Sequence, residues 1–305
     1  MTNTSAFEKS VKVIAPPILA AILALSGKSP MSARVAAFIL ALFLLGSCSD
    51  WGSSESGASD NRSAGENEII DFAAASLTES FTDIGAAFQQ SRAGSQILFN
   101  FAGSQQLAHQ ISGGAPGHVF ASANLVQMQE AIASNRVDAT APQPFAGNRL
   151  VVIIPADNPA QITTLQDLAR PGVRLVLAAE QVPAGRYALD FLDSAATIAQ
   201  FGPEYRSRVL ANVASYELNV RAVLTKVALG EADAGIVYDS DVSGAQSSEL
   251  GHIEIPDALN TIARYYIAPI LDGDDETLAR DFIDYVLSEE GQAILRRHGF
   301  KPLYE

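Results

Sequence analysis

Four short stretches carry residues whose types and spacing suit one kind of chemistry: AAASLTESF (73–81), FAGSQQL (101–107), PAG (183–185) and ELNVRAV (217–223). Each places small or hydroxyl-bearing residues where an apolar run gives way to a helical pattern. Ser76 followed by Glu79 has the spacing of a capping box, which predicts Ser76 as the N-cap of a helix. Gly103 and Ser104 occupy the same kind of turn, Pro183-Ala184-Gly185 open another helix, and Asn219 is the expected cap of a fourth. The first N–H groups of a helix have no partner within it and carry roughly +0.5 of partial charge, so four such ends around one space form an anion site without a cation. Small residues at Ala75, Gly103, Ala184 and Gly185 let an anion approach the backbone. Arg186 and Arg221 lie within two residues of a proposed N–H donor and are what a charge-paired site would use instead. A serine hydrolase built on Ser76 or Ser104 is the competing chemistry. The sequence has no G-x-S-x-G turn, and His109, His118, His252 and His298 follow no triad or metal spacing, so the chain is not read as an enzyme.

These turns need strands that end beside one another. From Glu68 onward short apolar runs alternate with helix-period segments, the signature of βα units and mainly parallel sheets. IIDFAA (69–74), QILFNF (96–101) and HVFASA (118–123) are each followed by a predicted helix, giving one doubly wound lobe. RLVVIIP (149–155) starts a second, continued by a TTLQDLA helix, VRLVLA (173–178), a helix from VPAGRYA, VASYE (213–217), a helix over 220–229 and AGIVY (234–238). ARYYIAPIL (263–271) is a late strand that returns the chain to the first lobe, which closing helices complete. The expected fold is α/β, two doubly wound lobes joined by two hinge strands, with lobe I over 68–148 and 262–305 and lobe II over 149–261. Ligands bind such sheets at the carboxyl ends of their strands, here in a central cleft.

AAASLTESF, FAGSQQLAHQISGGAPGHVFASA, GNRLVVIIP, VPAGRYA, GEADAGIVYDSD and a late HGF together resemble, in order and over nearly all of residues 67–303, the periplasmic molybdate-binding proteins of ABC transporters, the ModA family. The resemblance implies a type II solute-binding fold, molybdate or tungstate as ligand, no cofactor, and an ABC transporter permease as partner of a monomer. Carried over by position, it implies that Ser76 and Ser104 offer hydroxyl and N–H groups from lobe I. Ala184 and Val220 would offer N–H groups from lobe II, and Tyr238 its phenol. The metal would be held only as its oxyanion. The chain departs from the family at His118 and Asn124, where Asp is common; neither is implied as a ligand, and both are expected near the cleft floor. The same fold with sulfate, phosphate or an iron chelate is the alternative. Phosphate retains a proton and favours a carboxylate acceptor, which these turns lack, and the Tyr265–Tyr266 pair that could suit iron lies on the hinge strand.

The whole chain fits this reading. Its 305 residues are 48% apolar, enough for a sizeable core, and its net charge is −14. Residues 1–47 contribute four bases against the single acid Glu8, so the remainder is more acidic still. Such a body excludes nucleic acid and a polybasic grip on lipid, both of which need clustered Lys and Arg. MSARVAAFILALFLLGSC places a base, an apolar core and Leu-Gly-Ser before Cys48, the only cysteine, and resembles a bacterial lipoprotein signal. Cys48 is the expected lipidated first residue of an exported, membrane-anchored protein. Residues 1–47 are then a signal segment, with Met31 as the expected true start, and the Ser- and Gly-rich 48–67 a flexible tether.

Overall fold

The structure, a computed structural model, describes residues 67–243, 249–271, 273 and 275–303. The described residues all belong to one compact unit, Asp60–Glu305. Cys48, the expected signal segment and all but the end of the expected tether lie outside the described residues.

One five-stranded sheet contains β1 (Glu68–Ala74), β2 (Gln96–Ala102), β3 (Val119–Ser122), β4 (Gln143–Asn148) and β10 (Ala263–Pro269), in the order β2-β1-β3-β10-β4. The other contains β5 (Leu150–Pro155), β6 (Leu175–Ala178), β7 (Val213–Glu217), β8 (Ala234–Tyr238) and β9 (Leu250–Glu254), in the order β7-β6-β8-β5-β9. The two orders correspond strand for strand. β1 pairs in parallel with β2 and β3, and β6 with β7 and β8. One strand in each sheet runs against both neighbours: β10 against β3 and β4, β5 against β8 and β9. Each reversed strand is the first laid down after the chain changes sheet. The first change needs only Arg149, between β4 and β5; the second uses the stretch from 255 to 262.

Helices α1 (Thr78–Ser91), α2 (Ser104–Ser112), α3 (Leu125–Ala133), α8 (Glu276–Leu287) and α9 (Glu289–Arg297) accompany the first sheet. Helices α4 (Pro183–Ala196), α5 (Tyr205–Ala211), α6 (Val220–Ala228) and α7 (Asp239–Val242) accompany the second. Phe81, Ile84 and Phe88 recur at helical spacing on α1 and are buried. Phe81 meets Phe99, Phe145 and Phe282 with ring centroids 6.2, 5.7 and 6.2 Å apart. Burying each such ring stabilises the lobe by about 1.5–3 kcal/mol, and this aromatic cluster fixes α1 against the sheet. The second lobe is aliphatic: Val151, Val152 and Ile153 of β5, buried on both faces, pack with Val223, Leu224 and Val227 of α6.

TTLQDLA forms a 3₁₀ helix, Leu165–Ala169, rather than an α-helix. The Asp167 carboxylate accepts from the N–H groups of Thr163 and Thr164, each at 2.9 Å, and closes that turn locally. β4 and β9 carry Pro144, Gly147 and Gly251 and give little strand signal of their own. Pairing with β10 and β5 creates them.

Candidate functional site

The carboxyl ends of β1, β2, β3, β6, β7 and β8 lead into turns that line one small cavity. Ala74, Ala75, Ser76, Gly103, Ser104 and Ala123 face it from the first lobe. Val182, Pro183, Ala184, Asn219, Val220 and Tyr238 face it from the second. Ser76, Ser104, Ala184, Val220 and Tyr238, distant in sequence, thus share one space and are each between 1 and 5% exposed.

Ser104 is the first residue of α2, and its hydroxyl oxygen accepts from the N–H of Ala123 at 3.0 Å. Ala184 is the second residue of α4, after Pro183, whose missing N–H costs nothing at that position. Val220 is the first residue of α6; Asn219 caps this helix by accepting from the Ala222 N–H at 3.0 Å, which leaves the earlier N–H groups to the cavity. Two glycines set the approach of these ends. A Cβ on Gly185 would sit 2.1 Å from the Ala179 carbonyl, and one on Gly103 2.5 Å from the Leu218 carbonyl of the other lobe. Larger residues there would push α4 off its sheet and hold the lobes apart.

Ser76 departs from the sequence expectation. It lies in a 3₁₀ turn, Ala75–Leu77, and the N-cap of α1 is Leu77, with no side-chain cap. Its hydroxyl bonds instead to that of Tyr265, at 2.8 Å. Glu79, expected to complete a capping box, pairs with Arg221 across the two lobes. Arg221 also lies 4.0 Å from Asp241, so two carboxylates share its charge. Arg186, largely exposed, pairs with Glu180 at 3.1 Å and with Asp190 at 3.6 Å. Both cations next to the turns are therefore occupied by acids.

Tyr238 ends β8. Its ring is 5.8 Å from that of Tyr265, and its hydroxyl, fully buried, has no hydrogen-bond partner among the described residues. Burial, with smaller contributions from Tyr265 and other neighbours, raises its pKa well above that of a free tyrosine, so it remains a proton donor. Asp241 accepts from the Tyr238 N–H at 3.0 Å; burial pushes its pKa up to about 7 against the opposing pull of Arg221.

Tyr265, Asn148 and Asp241 do not line the cavity but bond to its lining residues or to one another, a supporting role the sequence reading did not assign them. Alternation along β10 buries Ala263, Tyr265 and Ile267 on one side, a signal that could have found Tyr265. Asn148 has no such signal, because its role depends on the crossing between sheets. His118 does not lie at the cleft floor. It precedes β3 at the amino ends of the strands, where its Nδ1 accepts from the Ile70 N–H at 3.0 Å. Asn124 caps α3 by accepting from the Gln127 N–H at 3.0 Å and lines a separate open pocket with Glu180, Gln181 and Arg186. Among the described residues no cluster of His, Cys, Asp and Glu is arranged to hold a bare metal ion. What the cavity presents is hydroxyl and backbone N–H donors from both lobes, an arrangement suited to one small anion rich in acceptors.

The family of bacterial extracellular solute-binding proteins matches residues 71–301. The molybdate-binding protein ModA of Mycobacterium tuberculosis H37Rv is 36% identical over 239 residues, covering 78% of this chain and 86% of that protein. The sulfate-binding protein SubI of the same organism superposes with a TM-score of 0.70 at 16% identity, over 78% of this chain and 88% of SubI. The Azotobacter vinelandii periplasmic molybdate-binding protein superposes at 0.66 and 17% identity, over 76% of this chain and 98% of that one. The two structures share the fold of this chain.

Proposed function

This chain belongs to the bacterial extracellular solute-binding proteins and is of the ModA type, and from that premise we propose that it captures molybdate, or tungstate of nearly equal size, and delivers it to an ABC transporter permease. The observation that carries the reading is the buried Tyr238 hydroxyl, unpartnered among the described residues, in a cavity lined by the amino ends of α2, α4 and α6. Ser76 and Ser104 donate their hydroxyl protons, Ala184 and Val220 their N–H groups, and Tyr238 its phenol. A fully deprotonated tetrahedral dianion satisfies all of these donors. Phosphate brings a proton of its own and finds no carboxylate acceptor among the residues lining the cavity. Charge-assisted hydrogen bonds of about 1.5–3 kcal/mol each supply the affinity without a cation.

The protein acts as a binder rather than a hydrolase. Its serine hydroxyls bond to Tyr265 and to the Ala123 N–H, while His118, His252 and His298 face Ile70, Glu254 and Asp83. Neither serine has a histidine base among these contacts. The protein works as an exported monomer with no cofactor, tethered to the membrane through a lipid on Cys48; Cys48→Ser would then release it from the membrane fraction, and unchanged retention would count against the anchor.

Calorimetry of the full-length chain against molybdate, tungstate, sulfate and phosphate tests the function. Sulfate has the same charge but shorter bonds and reaches the donors of both lobes less well. It should bind at least ~100-fold more weakly than molybdate, about 2.7 kcal/mol. Equal affinities for the two, or no heat with molybdate, would refute the assignment.

A further inference from the structure

We propose that Tyr265, held by Asn148, is a positioning residue that turns the Ser76 proton toward the cavity and so biases the first lobe's contribution toward donation. The inference rests on the oxyanion reading above and concerns how that site excludes anions that carry a proton.

One backbone group sets the start of the hydrogen-bond chain. The Arg149 N–H donates to Asn148 Oδ1 at 3.0 Å, which fixes the orientation of the Asn148 amide. Its Nδ2, which can only donate, then faces Ser240 Oγ at 2.8 Å and Tyr265 Oη at 3.4 Å. With Tyr265 Oη taking that hydrogen, its own proton can go to Ser76 Oγ at 2.8 Å, a pair in which either oxygen could donate and for which the proposal takes Tyr265 as the donor. Ser76 Oγ then spends one of its two lone pairs on Tyr265, and its proton is directed into the cavity. Burial keeps Tyr265 protonated, raising its pKa above the ordinary phenol range. Rings of Phe145, Tyr238 and Phe300, with centroids 6.0, 5.8 and 5.4 Å away, hold the Tyr265 ring in place. The same logic operates at Ser104, whose oxygen is occupied by the Ala123 N–H. Both serines are polarised alike, but only at Ser76 does a side-chain chain from Asn148 through Tyr265 impose the direction.

Without the Tyr265 hydroxyl, Ser76 can rotate and accept as readily as donate. The site would lose part of its hold on a deprotonated dianion and gain an acceptor for a protonated one. Tyr265→Phe keeps the ring and removes the hydroxyl. Calorimetry of the full-length chain should show molybdate binding weakened about tenfold while phosphate binding is unchanged or stronger, so the molybdate-to-phosphate ratio falls at least tenfold. Asn148→Asp is the second variant. Its carboxylate would draw the Tyr265 proton away from Ser76 and reverse the chain; charge repulsion weakens both anions, but the ratio should again fall at least tenfold. The proposal is overturned if the variant that folds, judged by its melting transition, binds molybdate like wild type or loses both anions equally. A wild type that ignores molybdate would remove the reading beneath the proposal, and the proposal with it.

Discussion

At the scale of single residues, the proposed site holds one side-chain donor, the Tyr238 hydroxyl, unsatisfied inside the protein. A buried hydroxyl without a partner costs about 1–3 kcal/mol, and Tyr238 bears that cost among the described residues. On the proposed reading an entering oxyanion would satisfy it, so the free energy of orphaning the group would reappear as affinity. Ser104 makes a clean test, because it sits at a helix start with its oxygen already engaged by Ala123. Ser104→Ala should weaken molybdate by about ten- to a hundredfold, the value of one charge-assisted hydrogen bond. Arg186→Gln is the matching control. Its guanidinium is exposed and paired with Glu180 and Asp190, so titration of that variant should return wild-type affinity. Arg221 is no such control, because its pairing with Glu79 joins the two lobes.

At the scale of elements, the central strand β1 delivers Ser76 to the cavity and also carries an anomaly. Asp71 is wholly buried between β2 and β3, and neither of its carboxylate oxygens has a hydrogen-bond partner among the described residues. Burial raises its pKa well above that of a free carboxyl. The folded state therefore holds a proton that the unfolded chain releases, and stability falls as pH rises from about 4 toward the folded pKa. Asp71→Val, which suits a buried strand, should raise stability at pH 8 by about 1–3 kcal/mol and flatten the decline between pH 5 and pH 8 in chemical denaturation. An unchanged slope would mean that Asp71 is ionised and paired in solution. Much of this element order was legible in the sequence. IIDFAA, QILFNF and AGIVY are apolar runs at strand length, and Asn219 and Pro183 mark helix starts by local chemistry alone. Residues facing the cavity were legible for the same reason, since each sits in the turn that ends a strand. What the sequence did not show depends on distant partners. The Ser76–Glu79 spacing has a local meaning as a capping box, but Tyr265, 189 positions away, takes the serine, and Arg221, 142 positions away, takes the glutamate. β4 and β9 are likewise strands only because β10 and β5 pair with them.

At the scale of the whole molecule, an acidic protein binds an anion against its own long-range field, so the grip has to be short-ranged, within the ~8 Å over which salt screens charge. It depends on two lobes meeting. Gln105 Nε2 donates to the Leu218 carbonyl at 2.8 Å, Asn148 Nδ2 to Ser240 at 2.8 Å, and Arg221 pairs with Glu79, all between one sheet's elements and the other's. Removing one such contact should loosen closure without touching a donor: Glu79→Gln is expected to speed molybdate release several-fold in a stopped-flow chase, with sulfate and molybdate affected alike. A slower release would show that the pair opposes closure. The claim on which the rest depends is that an oxyanion is held by neutral donors from both lobes, and anomalous diffraction at the molybdenum edge from crystals grown with molybdate measures it directly. The account predicts one strong peak in the cavity, with its oxygens roughly 2.7–3.1 Å from the Ser76 and Ser104 hydroxyls, the Ala184 and Val220 N–H groups and the Tyr238 hydroxyl. A peak in contact with the Arg186 or Arg221 guanidinium, or one lying outside this cavity, would contradict it.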